Sequence, residues 1–159
     1  MEVRALVGGR NLSIFFIDSG VVWRLLDPLH PEREPCLSVA RRCFSSKPDF
    51  LMGVNSVVIV EAMISLVKRS KILPSTASSI IHDGFLKAKS RVLVYNVTRN
   101  TLLEALRLQR ENGEAEFPDC VIAATMKENN ISTILTTNPE HFEAFSFVEK
   151  AIDPRFTTI

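Results

Sequence analysis

Three carboxylates in this chain, Asp18, Glu61 and Asp119, each stand alone in a long uncharged stretch. Each is the only charged residue of its stretch, which runs from 11 to 23 for Asp18, from 50 to 67 for Glu61 and from 117 to 126 for Asp119. An ionised carboxylate in an apolar environment is strongly unfavourable unless it meets a metal, a counter-charge or several hydrogen-bond donors. Because no Lys or Arg lies close in sequence, a fold that brings these acids together would create a pocket for a divalent cation.

Length and charge restrict the classes of protein that fit. A chain of 159 residues suits one domain, 1–159, and buries enough surface on folding for a real core. Nineteen Lys and Arg against eighteen Asp and Glu give a formal net charge of +1, so no overall field draws the protein to nucleic acid or to anionic lipid. Any contact with nucleic acid must therefore be local.

The cysteines and the N-terminal residues indicate the compartment. Cys36, Cys43 and Cys120 form no C-x-x-C pair, which argues against a disulfide framework and against a structural zinc site. The first residues carry Glu2, and the first apolar run is cut by Asp18, so neither a signal peptide nor a membrane span is readable. We therefore expect a cytoplasmic protein with no membrane contact.

Runs rich in β-branched and aromatic residues alternate with segments of helical periodicity along the chain, and this order is typical of a parallel sheet with helices on both faces. We expect an α/β fold, a three-layer α/β/α sandwich around a central, mostly parallel sheet of four or five strands. The predicted strands are 12–17, 51–54, 92–97 and 131–136, with a further edge strand at 145–148. The predicted helices are 21–26, 36–44, 57–68, 74–88, 98–112 and 120–128, with a loop at 27–35 and a turn or short helix at 139–142.

The isolated acids occupy the places where such a sheet binds ligands. Asp18 ends the first predicted strand, Asp119 opens a helix, and Asn138 follows the fourth predicted strand. In open parallel sheets ligands bind beyond the carboxyl ends of the strands, where the helices begin. Oxygen ligands of this kind suit Mg²⁺ or Mn²⁺, and without the cation the clustered carboxylates should repel one another, so that at least one has a raised pKa.

Each of these residues also has a simpler interpretation when taken alone. Asp119 in a first helical turn could only stabilise its helix, and Asp18 at a strand-to-helix turn could be an ordinary cap. Asn138 before Pro139 is typical of a turn. Glu61 is harder to explain, because an acid in the second turn of an apolar helix caps nothing; a buried water network is its main structural alternative.

Around these residues the chain resembles the PIN-domain family of metal-dependent ribonucleases, which includes the VapC toxins of prokaryotic toxin–antitoxin pairs. The matching segments are IDSGVVWRLL around Asp18, VIVEAMISLV around Glu61, and FPDCVIAATMKENNISTILTTNPEHF from Phe117 to Phe142. Their order and rough spacing also match, over about 12–148.

The resemblance implies an endoribonuclease that hydrolyses RNA phosphodiester bonds with Mg²⁺ or Mn²⁺. Asp18, Glu61 and Asp119 would be its metal-binding and catalytic acids, and Asn138 an auxiliary ligand or water positioner. The resemblance also implies a homodimer, for which the amphipathic segment 36–44 is a candidate surface, and, if the chain is a toxin, an antitoxin protein as partner.

Two positions depart from the family pattern. Many relatives carry a further acid where Asn138 stands, so this pocket would hold one negative charge fewer. Many relatives have a polar residue at Gly20, so one hydrogen bond would be missing here. These departures keep an alternative function open, a catalytically weak PIN-like module that binds RNA or a protein partner. A non-nucleolytic phosphohydrolase is disfavoured, because its nucleophile loop needs a second acid where Gly20 stands.

The remaining candidates have ordinary structural explanations. We expect His30, His82 and His141 at the surface, and Trp23 in the core rather than as a platform for base stacking. A local basic rim could come from Arg24, Arg41, Arg42, Lys68, Arg69, Lys71, Lys87, Lys89, Arg91, Arg107 and Arg110. A solvated helix face is the default for any one of these charges. If several flank the acids, RNA binding should weaken steeply with salt.

Overall fold

A parallel sheet forms the centre of the protein, as a computed structural model describes it for residues 4–7, 10–87 and 91–157. Five strands lie in the order β4-β3-β2-β5-β6, and every neighbouring pair among them is parallel. The strands are β1 (Arg4–Val7), β2 (Arg10–Ile17), β3 (Phe50–Asn55), β4 (Val92–Tyr95), β5 (Thr133–Leu135) and β6 (Lys150–Ile152). The predicted α/β architecture is confirmed.

Helices fill the connections and cover the sheet. They are α1 (Ser19–Leu26), α2 (Arg33–Phe44), α3 (Ser56–Lys68), α4 (Pro74–Ile81), α5 (Arg99–Glu111), α6 (Phe117–Glu128) and α7 (Glu140–Glu143). All six residues of β3 are buried, so helices cover both faces of the sheet there. Among the described residues, no helix combines the length and the apolar character needed to cross a bilayer.

Two strands differ from the sequence-based prediction. β1, which was not predicted, pairs antiparallel with the first half of β2; its four residues include a charge and precede two glycines, so its apolar run is short. The predicted edge strand at 145–148 is wrong. There the Val148 amide donates to the Phe145 carbonyl in a turn, and the last strand is β6.

Two helix predictions also need correction. α2 begins at Arg33, inside the predicted loop 27–35, because Pro35 lies in the first helical turn, where its missing N–H removes no helical bond. The predicted helix 74–88 continues beyond α4 as a π-helical turn at His82–Leu86, and position 88 lies outside the described residues.

Contacts among the helices decide where the isolated acids lie. α3 packs against α1 and also contacts α6. Asn55, at the end of β3, caps α3 by accepting from the Val58 amide, and its side-chain amide donates to Thr125 Oγ1 of α6 at 2.9 Å. Both Asn55 and Thr125 are completely buried. The start of α3 is thereby fixed to α6 beneath the carboxyl edge of the sheet.

Candidate metal centre

Asp18 is the most buried of the candidate acids, with 6% of its surface exposed. It connects β2 to α1 and caps the helix, since its Oδ1 accepts from the Ser19 amide at 2.6 Å. Its Oδ2 accepts from Thr136 Oγ1 at 2.8 Å, and its own amide donates to the Leu135 carbonyl at 2.9 Å. The carboxylate is therefore held in one orientation by α1 and by the end of β5.

Glu61 lies in the second turn of α3 and is partly buried. Ser19, whose hydroxyl donates to Asp18 Oδ1 at 3.3 Å, also lowers the pKa of Glu61. A single serine at the start of α1 thus affects two of the three acids.

Asp119 lies in the first turn of α6, after Pro118. Its Oδ2 is 2.9 Å from Nδ1 of His141 in α7, and the Asp119 side chain is 13% exposed. An ionised carboxylate only accepts hydrogen bonds, so the imidazole donates here. His141 therefore orients Asp119 from a helix that follows it by more than twenty residues.

The structure brings the predicted site residues into one pocket of about 590 Å³, which Asp18, Glu61, Asp119 and Asn138 all line. Asn138 is exposed at the rim, and its backbone amide donates to Thr136 Oγ1 at 3.1 Å. Thr136 thus connects the Asn138 turn directly to Asp18.

Burial raises the pKa of all three acids, and repulsion by neighbouring carboxylates adds to the shift at Glu61 and Asp119. Desolvation is the main cause at each of them. The negative charge of Asp18 further raises the pKa of Asp119, which reaches about 6 although the His141 bond opposes the shift. Asp18 and Asp119 likewise raise the pKa of Glu61, while the Ser19 bond lowers it. A group of carboxylates that resists ionisation in this way is stabilised by a cation.

The donor set fits a hard cation. The three acids offer carboxylate oxygens, and Asn138 adds an amide oxygen at the rim; Mg²⁺ and Mn²⁺ prefer such ligands. Within the described part of the chain, no three Asp, Glu, His or Cys side chains converge into a ready-made metal-binding group. Mg²⁺ commonly takes one or two carboxylates and keeps several waters, so a pocket of spaced acids is compatible with it.

The structure gives Gly20 a different meaning from the missing hydrogen bond expected above. A Cβ atom at this position would lie 2.6 Å from Thr137 Oγ1 and 3.6 Å from Asp18 Oδ2. Backbone and side chain approach each other too closely there for a substituent. The packing of α1 against the Thr137 turn therefore leaves no space for a polar side chain at Gly20.

Sequence reasoning missed two groups that hold the acids. It assigned His141 to the surface, and although the side chain is 38% exposed, it contacts Asp119. It gave no role to Thr136, which is fully buried and donates to Asp18. The available signal was position, because Thr136 ends the fourth predicted strand and His141 follows shortly after it, at the carboxyl edge of the sheet. Of the other histidines, His82 is exposed as expected, and His30 packs edge-on against Trp23.

The fold and the pocket together define the protein as a parallel α/β sandwich with an acidic pocket at the carboxyl edge of its sheet. The profile of the PIN domain matches residues 15–148, which is most of the chain. The chain belongs to the PIN-domain family, as the sequence resemblance predicted. Among curated proteins, none matches the chain significantly.

Solved structures show the same fold at low sequence identity. A toxin–antitoxin complex from Klebsiella pneumoniae aligns with TM-score 0.59 and 15% identity over 88% of this chain and 97% of the other. VapC20 of Mycobacterium tuberculosis, described as a toxin that cleaves the sarcin–ricin loop, aligns with TM-score 0.56 and 21% identity over 77% and 87%. FitAcB from Neisseria gonorrhoeae aligns with TM-score 0.61 and 15% identity over 91% and 99%.

Proposed function

We propose that the protein is a Mg²⁺- or Mn²⁺-dependent endoribonuclease that hydrolyses RNA phosphodiester bonds. The observation that carries this proposal is that Asp18, Glu61 and Asp119 line one pocket, with the pKa of each raised by burial. Membership of the PIN-domain family, whose members are generally nucleases, supports it. The similar fold of VapC20, a toxin that cleaves the sarcin–ricin loop, supports the choice of RNA.

In this proposal each side chain has a definite task. Asp18, Glu61 and Asp119 hold the cation, while Thr136 and His141 keep two of these carboxylates in orientation. The bound cation would polarise the scissile phosphate and lower the pKa of an attacking water. Asn138 offers its amide oxygen at the rim to position that water.

Incubation of labelled single-stranded RNA with the protein, with and without EDTA, tests the proposal. Asp18→Asn keeps the shape of the side chain and, through Oδ1, its bond from the Ser19 amide, but it removes the charge. At the position of Oδ2 the new Nδ2 must donate to Thr136 Oγ1 instead of accepting from it. We expect cleavage to be abolished while the fold survives. Asp83→Asn, at an exposed acid outside the pocket, is the matched control and should cleave normally. Cleavage that persists in EDTA or in Asp18→Asn would contradict the proposal.

A second candidate function, a catalytically weak module that binds RNA or a protein, is favoured by the amide at Asn138. Under this alternative Asp18→Asn leaves binding largely intact and the wild-type protein shows little cleavage. Asn138→Asp adds a carboxylate at the rim of the same pocket, so it should strengthen metal binding. If cleavage by Asn138→Asp greatly exceeds that of the wild-type protein, the weak-module alternative is preferred.

We further propose that the protein is the toxin of a toxin–antitoxin pair. Its support is the fold shared with a protein from a toxin–antitoxin complex, at 15% identity. Expression should arrest growth of the host cell, and Asp18→Asn should relieve the arrest. Relief by co-expression of the protein encoded next to this gene would identify an antitoxin.

For the proposed homodimer the structure favours a surface other than 36–44. The apolar residues Cys36, Val39, Ala40 and Cys43 of α2 are buried within the subunit. Helix α5 instead exposes three leucines, Leu102, Leu103 and Leu106. We expect Leu103→Glu, at the most exposed of the three, to give a monomer in light scattering if α5 forms the interface.

A further inference from the structure

The pocket extends beyond the acids along the groove between α1 and α3. Past Glu61, its walls are formed by Trp23, Arg24, Ile64, Ser65, Lys68 and Arg69. Lys68 is seven positions after Glu61, which places it about 10 Å further along the axis of α3. The pocket is therefore acidic at one end and basic at the other.

The cations at the basic end differ in their pairing. Arg24 donates from Nε to Glu32 Oε2 at 2.8 Å, so its charge is already compensated. Lys68 and Arg69 are exposed, and neither forms an ion pair with any residue that the structure describes. Of the basic rim predicted from sequence, these two side chains line the pocket and keep their charge available for an anion.

Trp23 holds Arg69 in place. The Arg69 guanidinium lies over the indole, 5.2 Å from the ring centroid. The indole is itself fixed, because Nε1 donates to Ser70 Oγ at 2.8 Å and the ring packs against the small apolar cluster around Leu66. A guanidinium stacked on a ring keeps its N–H groups free at the edge, where they match the geometry of a phosphate.

We propose that Lys68 and Arg69 bind a backbone phosphate of a nucleotide that flanks the scissile bond, with Trp23 as the positioning residue for Arg69. The inference rests on the proposed ribonuclease function and adds a substrate-binding subsite to it. The RNA strand then lies along the α1–α3 groove, with its scissile phosphate at the acids and the flanking phosphate at the two cations.

Binding of fluorescein-labelled single-stranded RNA to Asp18→Asn protein, followed by anisotropy over a range of salt concentrations, tests the subsite. We expect Lys68→Ala with Arg69→Ala to raise Kd roughly 5- to 30-fold, which corresponds to two exposed charge contacts. The slope of log K against log salt should fall by about 1.4, or about 0.7 for each lost contact to a single strand.

The matched control removes the same charge elsewhere. Lys47 and Lys150 are exposed and lie at the amino ends of β3 and β6, on the sheet edge opposite the pocket. Lys47→Ala with Lys150→Ala should leave Kd and the salt slope within twofold of the parent. An equal loss of affinity in both double variants would show general attraction only, and no loss in the Lys68 and Arg69 variant would show a structural role; either overturns the inference.

Trp23 supplies a second readout, because it is the only tryptophan of the chain. RNA should change its emission, and Lys68→Ala with Arg69→Ala should remove that change. Trp23→Leu should raise Kd, while Trp23→Phe, which keeps a ring beneath Arg69, should bind nearly as the parent does; equal binding by Trp23→Leu would contradict the positioning role.

The two proposals fail differently. Absence of metal-dependent cleavage by the wild-type protein contradicts the proposed ribonuclease activity. Metal-dependent cleavage together with an unaltered Kd in the Lys68→Ala, Arg69→Ala variant contradicts only the subsite.

Discussion

The side-chain amide of Asn55 donates to Thr125 Oγ1 at 2.9 Å, and this bond connects the helices that carry Glu61 and Asp119. Asn55 also caps α3, while the Thr125 hydroxyl donates a hydrogen bond to the Val121 carbonyl. Because all these groups are buried, water cannot replace a lost partner. The distance between two acids of the pocket therefore depends on a bond outside it.

Asn55→Ala is expected to lower the free energy of unfolding by about 2–4 kcal/mol, since it removes a helix cap and leaves the Thr125 hydroxyl without this donor. Urea denaturation measures the change. Thr98→Ala is the control, because Thr98 caps α5 by accepting from the Thr101 amide and is not fully buried; it should cost about 1 kcal/mol. Equal losses in the two variants would mean that the Asn55–Thr125 bond adds nothing to the cap.

The metal-free protein should become more stable as the pH falls from about 7 to about 5. The folded-state pKa of Asp119 is raised to about 6 from 3.8, so the folded state binds its proton more tightly than the unfolded state does. Stability contributed by such a group is complete at low pH and is lost as the pH rises through this window, on the order of 1–3 kcal/mol. Glu104, whose pKa is lowered to about 2, loses its contribution only below this window.

Thermal melting in EDTA at several pH values checks this prediction. Asp119→Asn should flatten the profile and melt higher than the wild-type protein at pH about 7.5, because it removes a repelled charge. Millimolar Mg²⁺ or Mn²⁺ should raise the melting temperature of the wild-type protein, and more so at the higher pH. Melting curves that do not respond to either cation would be evidence against a metal pocket.

His141→Ala should weaken Mn²⁺ binding by roughly 10- to 100-fold, because Asp119 loses the group that orients it. His141→Asn places an amide N–H near the former Nδ1 and should restore much of the affinity. Calorimetric titration with Mn²⁺ measures both. His82→Ala is a matched control, since His82 Nδ1 contacts Asp83 Oδ1 at the same 2.9 Å but outside the pocket; a similar loss in this variant would contradict a specific role for His141.

Gly20→Ala should destabilise the protein by about 1–3 kcal/mol, because its Cβ would press on Thr137 Oγ1. In a Thr137→Ala background the sign should reverse, with a gain of about 0.5–1 kcal/mol from the better helix propensity of alanine. Urea denaturation of the four proteins measures the coupling. Gly113→Ala, whose Cβ would meet nothing within 4 Å, should stay close to neutral. If the changes in the free energy of unfolding caused by Gly20→Ala and Thr137→Ala are additive, the Thr137 side chain moves aside at no cost and the predicted clash is absent.

Periodicity was sufficient to predict most of the strands, and isolated charge selected three acids that line one pocket. Glu61 was the most informative, because its position within an apolar helix had no capping explanation. The pairing of His141 with Asp119 could not be predicted in this way. It depends on the direction of α7, which is set by the packing of the fully buried Phe142 against the rest of the core.

The error at 145–148 has a similar origin. Phe145 is buried and its ring lies 6.2 Å from that of Phe142, so these apolar residues fill a turn rather than a strand. Apolar content in a short segment does not distinguish the two, because both bury the same side chains. Whether such a segment forms a strand is decided by which residues pair with the neighbouring strand, and β5 pairs with 150–152.

The Asp18 backbone amide donates to the Leu135 carbonyl, and the Asp18 carboxylate accepts from Thr136, near the opposite end of the polypeptide. A ribosome must therefore synthesise β5 before the first acid acquires its environment, and α6 before Asp119 exists to complete the pocket. If the pocket cleaves RNA, a nascent chain that still lacks β5 has no complete pocket with which to cleave the transcripts and ribosomes around it.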